Sequence, residues 1–384
     1  MGKRSRRVSG IHRARHAPPK VSPGADPGTF LTDPEAPLPP MRVMAYGAQG
    51  LVEQPVTALE ALAELRREHA TVWLNVEGVR HGATVREVGR VFGLHPLALE
   101  DVVHTHQRPK VEDYGDHAFV VLRMAELRAG ELFNEQLSMF LGKGFVLTFL
   151  EDPGDCLDPV RERLRQGRGR LRAAGADYLA YSILDAVLDH YFPVLEAYGE
   201  RLERLEEALL RTPRHANALE LHRLRHDLLA LRRAAWPIRD ALTDLHHGEL
   251  ALFGPETLPY LRDAADHAVR VLELVETYRE FATSLLDIYL SSISNRMNEV
   301  MKVLTLIGSI FIPLNFIAAL YGMNFNPERS PLNMPELNWY WGYPFALTLM
   351  SGVVILMLVF FHKKGWLLDL IRRPRPADER DPPR

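Results

Sequence analysis

The sequence is almost without cysteine. Cys156 is the only one in 384 residues, which excludes an intrachain disulfide and a thiolate zinc cluster. Any bound metal must therefore be held by oxygen or imidazole. A Gly-rich phosphate loop, a nucleophile elbow and a catalytic carboxylate pair in the required context are also lacking, so the chain does not read as an enzyme. Residues 1–20 contain no acid, and no run of seven apolar residues follows their basic start, so a secretory signal is not expected. Charge itself is missing in two places: residues 303–327 and 337–361 carry none, and each run is 25 residues long.

The whole-chain averages hide these gaps. With 47% hydrophobic and 25% charged residues and a net charge of −3, the composition matches an ordinary soluble globular protein. Along the chain the charges separate. Residues 1–40 begin with seven Lys/Arg and continue as a Pro-rich stretch, which reads as a disordered basic tail. Residues 362–384 hold seven Lys/Arg against four acids, while 41–361 hold 32 basic and 42 acidic residues, a net −10. An acidic body suits divalent-cation handling, and equally suits a well-solvated surface. Next to a membrane, the basic ends suit anionic lipid better than nucleic acid.

Each uncharged run exceeds the ~20 residues that cross a hydrocarbon core. The link from Glu328 to Glu336 is too short for a domain, so the two runs are expected to form a helical hairpin. Arg296 and Lys302 precede the first span and Lys363, Lys364, Arg372 and Arg373 follow the second, whereas the link holds only Arg329 among basic residues. The positive-inside rule then places both termini in the cytoplasm. Tyr321, Phe325, Trp339, Tyr340, Trp341 and Tyr343 form an aromatic belt at the outer interface, and Trp366 marks the inner one.

The remainder is expected to be a mixed α/β domain over 41–155, with strands at 41–46, 71–76, 118–127, 132–141 and 145–150 and helices at 57–69 and 83–92. The breaks at 128–131 and 142–144 read as hairpin turns, giving an antiparallel meander. Residues 156–256 read as cytoplasmic helices over 177–211 and 216–246, broken by Pro213 and by His247-Gly248. A stalk helix over 257–322 is expected to run into the first span, followed by an outer loop at 323–337, the second span at 338–361 and the basic tail. Val269, Leu272, Val275, Ala282, Leu286, Tyr289, Ile293, Met297 and Val300 suggest a coiled-coil-like seam.

A second stripe on this helix is partly polar: Asp287, Leu290, Ser294, Asn298, Met301, Leu304, Gly308, Ile312 and Asn315 also step by three or four. Inside a membrane such a face cannot meet lipid, because unpaired amides there cost too much. At the helix end stands Gly322-Met323-Asn324. Gly322 is expected to take a left-handed, helix-ending conformation, and Asn324 to present a neutral oxygen. With several protomers around an axis, these oxygens would ring a hydrated divalent cation, which suits Mg²⁺ because it gives up water reluctantly.

Tyr321-Gly322-Met323-Asn324 after a long helix, followed by Met334-Pro335-Glu336-Leu337, a second span and Lys363-Lys364, resembles the signature of the CorA magnesium transporter family. Residues 94–101 (LHPLALED), 106–110 (HQRPK), 275–279 (VETYR), 286–292 (LDIYLSS) and 298–305 (NEVMKVLT) add further blocks in the same order, so the resemblance runs from about Met41 onward. It implies a funnel-shaped homopentamer: an α/β cytoplasmic domain, a long stalk helix and a two-helix transmembrane hairpin. Gly322, Met323 and Asn324 resemble the selectivity filter, and the polar stripe falls where the family lines its pore. The chain departs from that pattern at Asn315, where Thr is common, and at Ile312, where Met is common.

The resemblance also implies a regulatory metal site between neighbouring subunits, with Asp101 of one protomer and Asp263 of the next, and a second site near Glu100, His106 and His267. The implied function is Mg²⁺ influx, with Co²⁺ or Ni²⁺ as further cargo, across the inner membrane, driven by the membrane potential and gated by cytoplasmic Mg²⁺. Two alternatives stay open: a zinc transporter of the same superfamily, and a non-conducting membrane-anchored coiled-coil sensor. The polar stripe weighs against the sensor, because an anchor needs no polar face.

Overall fold

A computed structural model describes residues 36–47, 50–246, 252–326, 329–330 and 332–366, together with Gly28. Most of the two expected tails, the His247-Gly248 break and Glu328 lie outside the described residues. Two compact units are present, Met1–Glu203 with Glu220–Thr283, and Arg204–Leu219 with Ser284–Arg384.

The first unit is organised by one seven-stranded sheet in the order β2-β1-β3-β7-β6-β5-β4. Its strands are β1 (Met41–Gly47), β2 (Gly50–Pro55), β3 (Thr71–Glu77), β4 (Lys110–Asp113), β5 (His117–Arg128), β6 (Glu131–Gly142) and β7 (Phe145–Leu150). β3 and β7 pair in parallel, with Trp73 opposite Val146 and Asn75 opposite Thr148. The other neighbours are antiparallel, and β5-β6-β7 form the expected meander. β3 and β7 are buried almost throughout, consistent with their mainly apolar, β-branched and aromatic composition.

Helices α1 (Ala61–Glu68), α2 (Gly82–Phe92) and α3 (Pro96–Val103) cover one face, where Leu62, Val88, Phe92 and Leu99 join Val72, Leu74 and Phe140 in a single apolar cluster. The opposite face carries α4 (Asp158–Gln166) and α5 (Ala176–Asp189), α5 packing on β5, β6 and β7. Three polar side chains inside this sandwich satisfy one another: Trp73 Nε1 donates to Thr148 Oγ1 at 2.9 Å, and Thr148 Oγ1 donates to Asn75 Oδ1 at 2.6 Å.

Two strands and one helix were not expected. β2 and β4 are the sheet edges; paired on one side only, they carry polar residues and little apolar periodicity. α3 starts at Pro96, where a missing N–H costs nothing, and the His95 ring accepts from Leu97 N at 3.3 Å. The helix expected over 177–211 is two, α5 and α6 (Tyr191–Arg211). Pro193 explains the break: in a continuous helix it would clash with the Asp189 carbonyl, whereas in the first turn of α6 it is tolerated.

α7 (His215–His246) matches its expected bounds closely, and α8 runs from Leu258 to Tyr321 as one helix of 64 residues, or about 96 Å at ~1.5 Å per residue. Its buried seam in the first unit is Leu261, Ala264, Ala268, Val271, Val275 and Ala282. The expected seam is therefore displaced: only Val275 and Ala282 of it are buried, and Val269 is exposed. Apolar residues occupy much of this helix surface, so periodicity alone leaves the phase ambiguous, and the alanines fit where the helix packs closest. In the second unit α9 spans Gly342–Lys363. Both α8 and α9 contain segments long and apolar enough to cross a membrane.

A buried ion pair ties α4 to the sheet. Arg161 donates to Asp155 through both guanidinium nitrogens, and its guanidinium carbon lies 5.4 Å from the centre of the Trp73 ring. Asp155 also accepts from Leu157 N at 2.9 Å. Arg161→Met leaves Asp155 buried without its cation and is expected to destabilise the protein by about 3–5 kcal/mol. The double substitution Arg161→Met/Asp155→Leu is expected to recover most of that loss. Thermal unfolding of the three proteins checks this.

Candidate functional site

α8 carries the polar stripe without interruption, since Pro313 sits inside the helix without ending it. At ~100° per residue, Asp287 to Asn315 stay within a face about 120° wide. Along that face Leu290, Met301, Leu304 and Ile312 are exposed by 55%, 55%, 62% and 69%, so among the described residues nothing covers it. Asp287, Ser294, Asn298 and Asn315 are exposed as well, and Gly308 is half-buried. A Cβ added at Gly308 would meet only Ile312 Cδ1, at 3.9 Å, so its small size answers to no contact within the chain.

The mouth differs from expectation in one respect. Gly322 does not adopt a left-handed conformation. Its N–H donates to Ala318 O at 3.0 Å, continuing the helical pattern, and Met323 N donates to Leu320 O at 3.2 Å. A Cβ at Gly322 would lie 3.3 Å from Ala318 O and 3.4 Å from Ala319 O. Glycine is favoured here by close approach to the last carbonyls, and the chain leaves the helix through ordinary backbone angles. Met323 and Asn324 are exposed beyond it. The following loop is tied by Asn333 Nδ2, which donates to Asn326 O at 2.8 Å. Phe325, Trp339, Tyr340, Trp341 and Tyr343 are all exposed around the same helix ends. At the other end, Trp366 stacks on Phe361 and joins Asn298, Met301 and Thr305 of α8 around an open cavity of about 570 Å³.

The candidate metal residues separate into two groups. On α8, His267 Nε2 lies 3.9 Å from Asp263 Oδ2, one helical turn away. His267 Nδ1 faces α5, 3.6 Å from Asp185 Oδ1 and 3.8 Å from Asp189 Oδ1. Asp185, Asp189 and His267 offer donors within 4.8 Å of one another, close enough to hold one cation. Asp185 Oδ1 and His267 Nδ1 are buried with no hydrogen-bond partner. Burial, then the neighbouring Asp189 charge, push the Asp185 carboxyl above its ordinary value, with His267 and Arg163 opposing. Two acids one turn apart in the apolar helix α5 were the available signal for Asp185 and Asp189; sequence reasoning passed over both.

The second group lies on α3 and beyond. Asp101 Oδ1 and Oδ2 accept from Gln107 Nε2 and Lys110 Nζ, both at 2.6 Å. Burial alone would lower the Lys110 ammonium, but Asp101 and Glu112 hold it above its ordinary value. Asp101 is thus already neutralised within its own chain. Glu100 accepts from Gly28 N at 2.7 Å and lies 3.8 Å from the His104 ring. His106 lines a different, arginine-rich cavity with Arg108, Arg232 and Arg233. Of the five candidates, one chain joins only Asp263 and His267, and adds Asp185 and Asp189 to them.

Residues 68–363 match the family of CorA-like Mg²⁺ transporter proteins. The chain is 44% identical over 329 residues to the cobalt/magnesium transport protein CorA of Thermotoga maritima, covering 85% of this chain and 92% of that one. Its fold matches the complete structure of the CorA magnesium transporter from Methanocaldococcus jannaschii with a TM-score of 0.73 at 21% identity, over 85% of this chain and 98% of that chain. The ZntB cytoplasmic domain from Vibrio parahaemolyticus matches with a TM-score of 0.53 at 14% identity, over 67% and 99%, a likeness of fold alone. With most of the chain matched to the family and a 44% identical relative covering most of both chains, this protein belongs to the CorA-like Mg²⁺ transporter family.

Proposed function

We propose that this protein is a homopentameric, channel-like transporter that admits Mg²⁺, and Co²⁺ as a second cargo, across the inner membrane. The observation that carries the reading is the exposed polar stripe of α8, which continues through an apolar span and ends beside Asn324. Five copies around an axis would remove Asn298, Gly308 and Asn315 from lipid and gather the Asn324 oxygens at the mouth. Neutral oxygens suit an ion recognised through its water shell. The inside-negative potential supplies about 4.6 kcal/mol per 100 mV for a divalent ion, so no ATP hydrolysis is needed.

The proposed topology is a hairpin with α8 as the inner span and α9 as the outer one, both termini in the cytoplasm, supported by the basic flanks and by Trp366 lying beside residues 295–305. The proposed division is an α/β domain at 41–155, cytoplasmic helices at 156–256, a stalk and first span at 257–322, a periplasmic loop at 323–337 and a second span at 338–361, between basic tails. The ion preference rests on the relative from Thermotoga maritima, named for cobalt and magnesium transport. The fold likeness to ZntB keeps zinc as the second reading, since both folds share the same cytoplasmic architecture.

Gating is proposed to work through Asp263, His267 and Asp185, with Asp189 beside them and Asp101 and Glu100 arriving from the neighbouring subunit. Packed carboxylates repel until a divalent cation screens them, so the cation would stabilise a closed assembly when cytoplasmic Mg²⁺ is high.

In liposomes carrying the protein, Mg²⁺ uptake is expected to exceed Zn²⁺ uptake and to be lost in Asn324→Ala. Absent flux, or flux unchanged by the substitution, would overturn the pore assignment. Mg²⁺-dependent resistance of the cytoplasmic region to protease is expected to weaken in Asp101→Ala and Asp263→Ala; an unaltered dependence in both rejects the site. Asp185→Asn removes a buried charge set against Asp189 and is expected to raise Tm in EDTA while shrinking the further rise that Mg²⁺ produces. Differential scanning of the purified protein reads both effects, and a lower Tm in EDTA would show that Asp185 is not under repulsion.

A further inference from the structure

One cavity in this acidic protein has a basic lining with no carboxylate. It lies in the first unit, between the segment after α3, strands β5 and β6, and helix α7, with a volume of about 790 Å³. Its charged and ionisable lining consists of Arg108, Arg123, Arg232, Arg233, His106 and His226. The body around it carries a net −10. The volume falls in the ordinary range for small-molecule sites, roughly 300–1,000 Å³.

The basic groups are held in place. Arg123 Nη2 donates to Gln107 O at 2.7 Å, which fixes the loop bearing Arg108. Arg232 lies 3.5 Å from Glu276 and 5.2 Å from the centre of the Trp236 ring, and Arg239 lies 4.5 Å from the same ring. Arg108 and Arg233 are exposed, and among the described residues no carboxylate pairs with either. Four guanidinium groups around one concavity create a positive field that a multivalent anion relieves, and their planar forks match phosphate oxygens.

The rest of the wall is not that of a bare phosphate site. On α7, Leu229, Ala230 and Trp236 share the face that carries His226 and Arg233, giving an apolar strip beside the basic groups. Across from it Asn134 presents a buried side-chain oxygen with no hydrogen-bond partner. An orphaned acceptor calls for a donor such as a hydroxyl or an amino group. Polyphosphate charge, a flat apolar ring and a hydroxyl or amino donor occur together in a nucleotide. We infer that this cavity is a binding site for a nucleoside triphosphate, its phosphates on Arg108 and Arg233 and its ring system along Leu229, Ala230 and Trp236.

Calorimetric titration of the full-length protein with ATP in EDTA, which silences the metal sites, tests this. Saturable binding is expected, weakened at least tenfold in Arg108→Gln/Arg233→Gln and abolished in Ala230→Trp, which fills the cavity without changing its charge. Both variants alter surface or cavity-wall positions, and retained Mg²⁺ uptake reports that they fold. Tripolyphosphate is expected to bind at least tenfold more weakly than ATP. No saturable binding at millimolar ATP, ATP affinity unchanged by either variant, or tripolyphosphate binding as tightly as ATP would each overturn the inference.

Discussion

An unpaired polar group in hydrocarbon costs several kcal/mol, and that cost governs the architecture built around α8. Ser294, Asn298 and Asn315 share one face of a helix whose outer half is apolar enough to span a membrane. One chain leaves that face open, with Leu304 and Ile312 more than 60% exposed beside the polar residues. The proposed assembly around an axis would answer the constraint and create the conducting path in the same step. In the proposed topology the aromatic residues at the helix ends and the lysines at the end of α9 would set depth and direction rather than hold the fold together.

The first unit meets a related constraint with different chemistry. Asp185 Oδ1 and His267 Nδ1 are buried and face one another at 3.6 Å without a hydrogen bond, with Asp189 and Asp263 close by. Such a cluster is an unfavourable arrangement for the empty protein and a favourable one for a protein holding a divalent cation. Asp101 contrasts with it, because Lys110 and Gln107 already occupy both of its oxygens. A cation bridging Asp101 to another subunit has to compete with that lysine, which makes the Asp185–His267 side the better prepared half of the proposed site.

Much of this was legible from spacing. The uncharged runs foretold both apolar helices, and the absence of a breaker between Thr257 and Pro313 foretold a single long helix, realised as Leu258–Tyr321. The meander of β5, β6 and β7 followed from the turns at Gly130 and Gly144. The edge strands β2 and β4 were not legible, because a strand paired on one side buries too little to carry an apolar pattern. Nor was the seam of α8, whose alanines pack at the closest approach while larger residues such as Val269 stay outside. At Gly322 the residue type suggested a left-handed turn, whereas the structure uses its missing side chain to admit the carbonyls of Ala318 and Ala319.

The amino-acid sequence by itself determined the two membrane-length helices, their orientation signals and the polar stripe with Gly322-Met323-Asn324 at its end. These follow from local length, charge and helical period, which need no partner to be expressed. Tertiary structure alone decided that Asp185 and Asp189 meet His267, and which arginines converge on the cavity beside Trp236. α5 and α8 are far apart in the chain, as are the segment after α3 and α7, and only the folded chain brings them together. No period or motif in a single sequence encodes a distance of that kind.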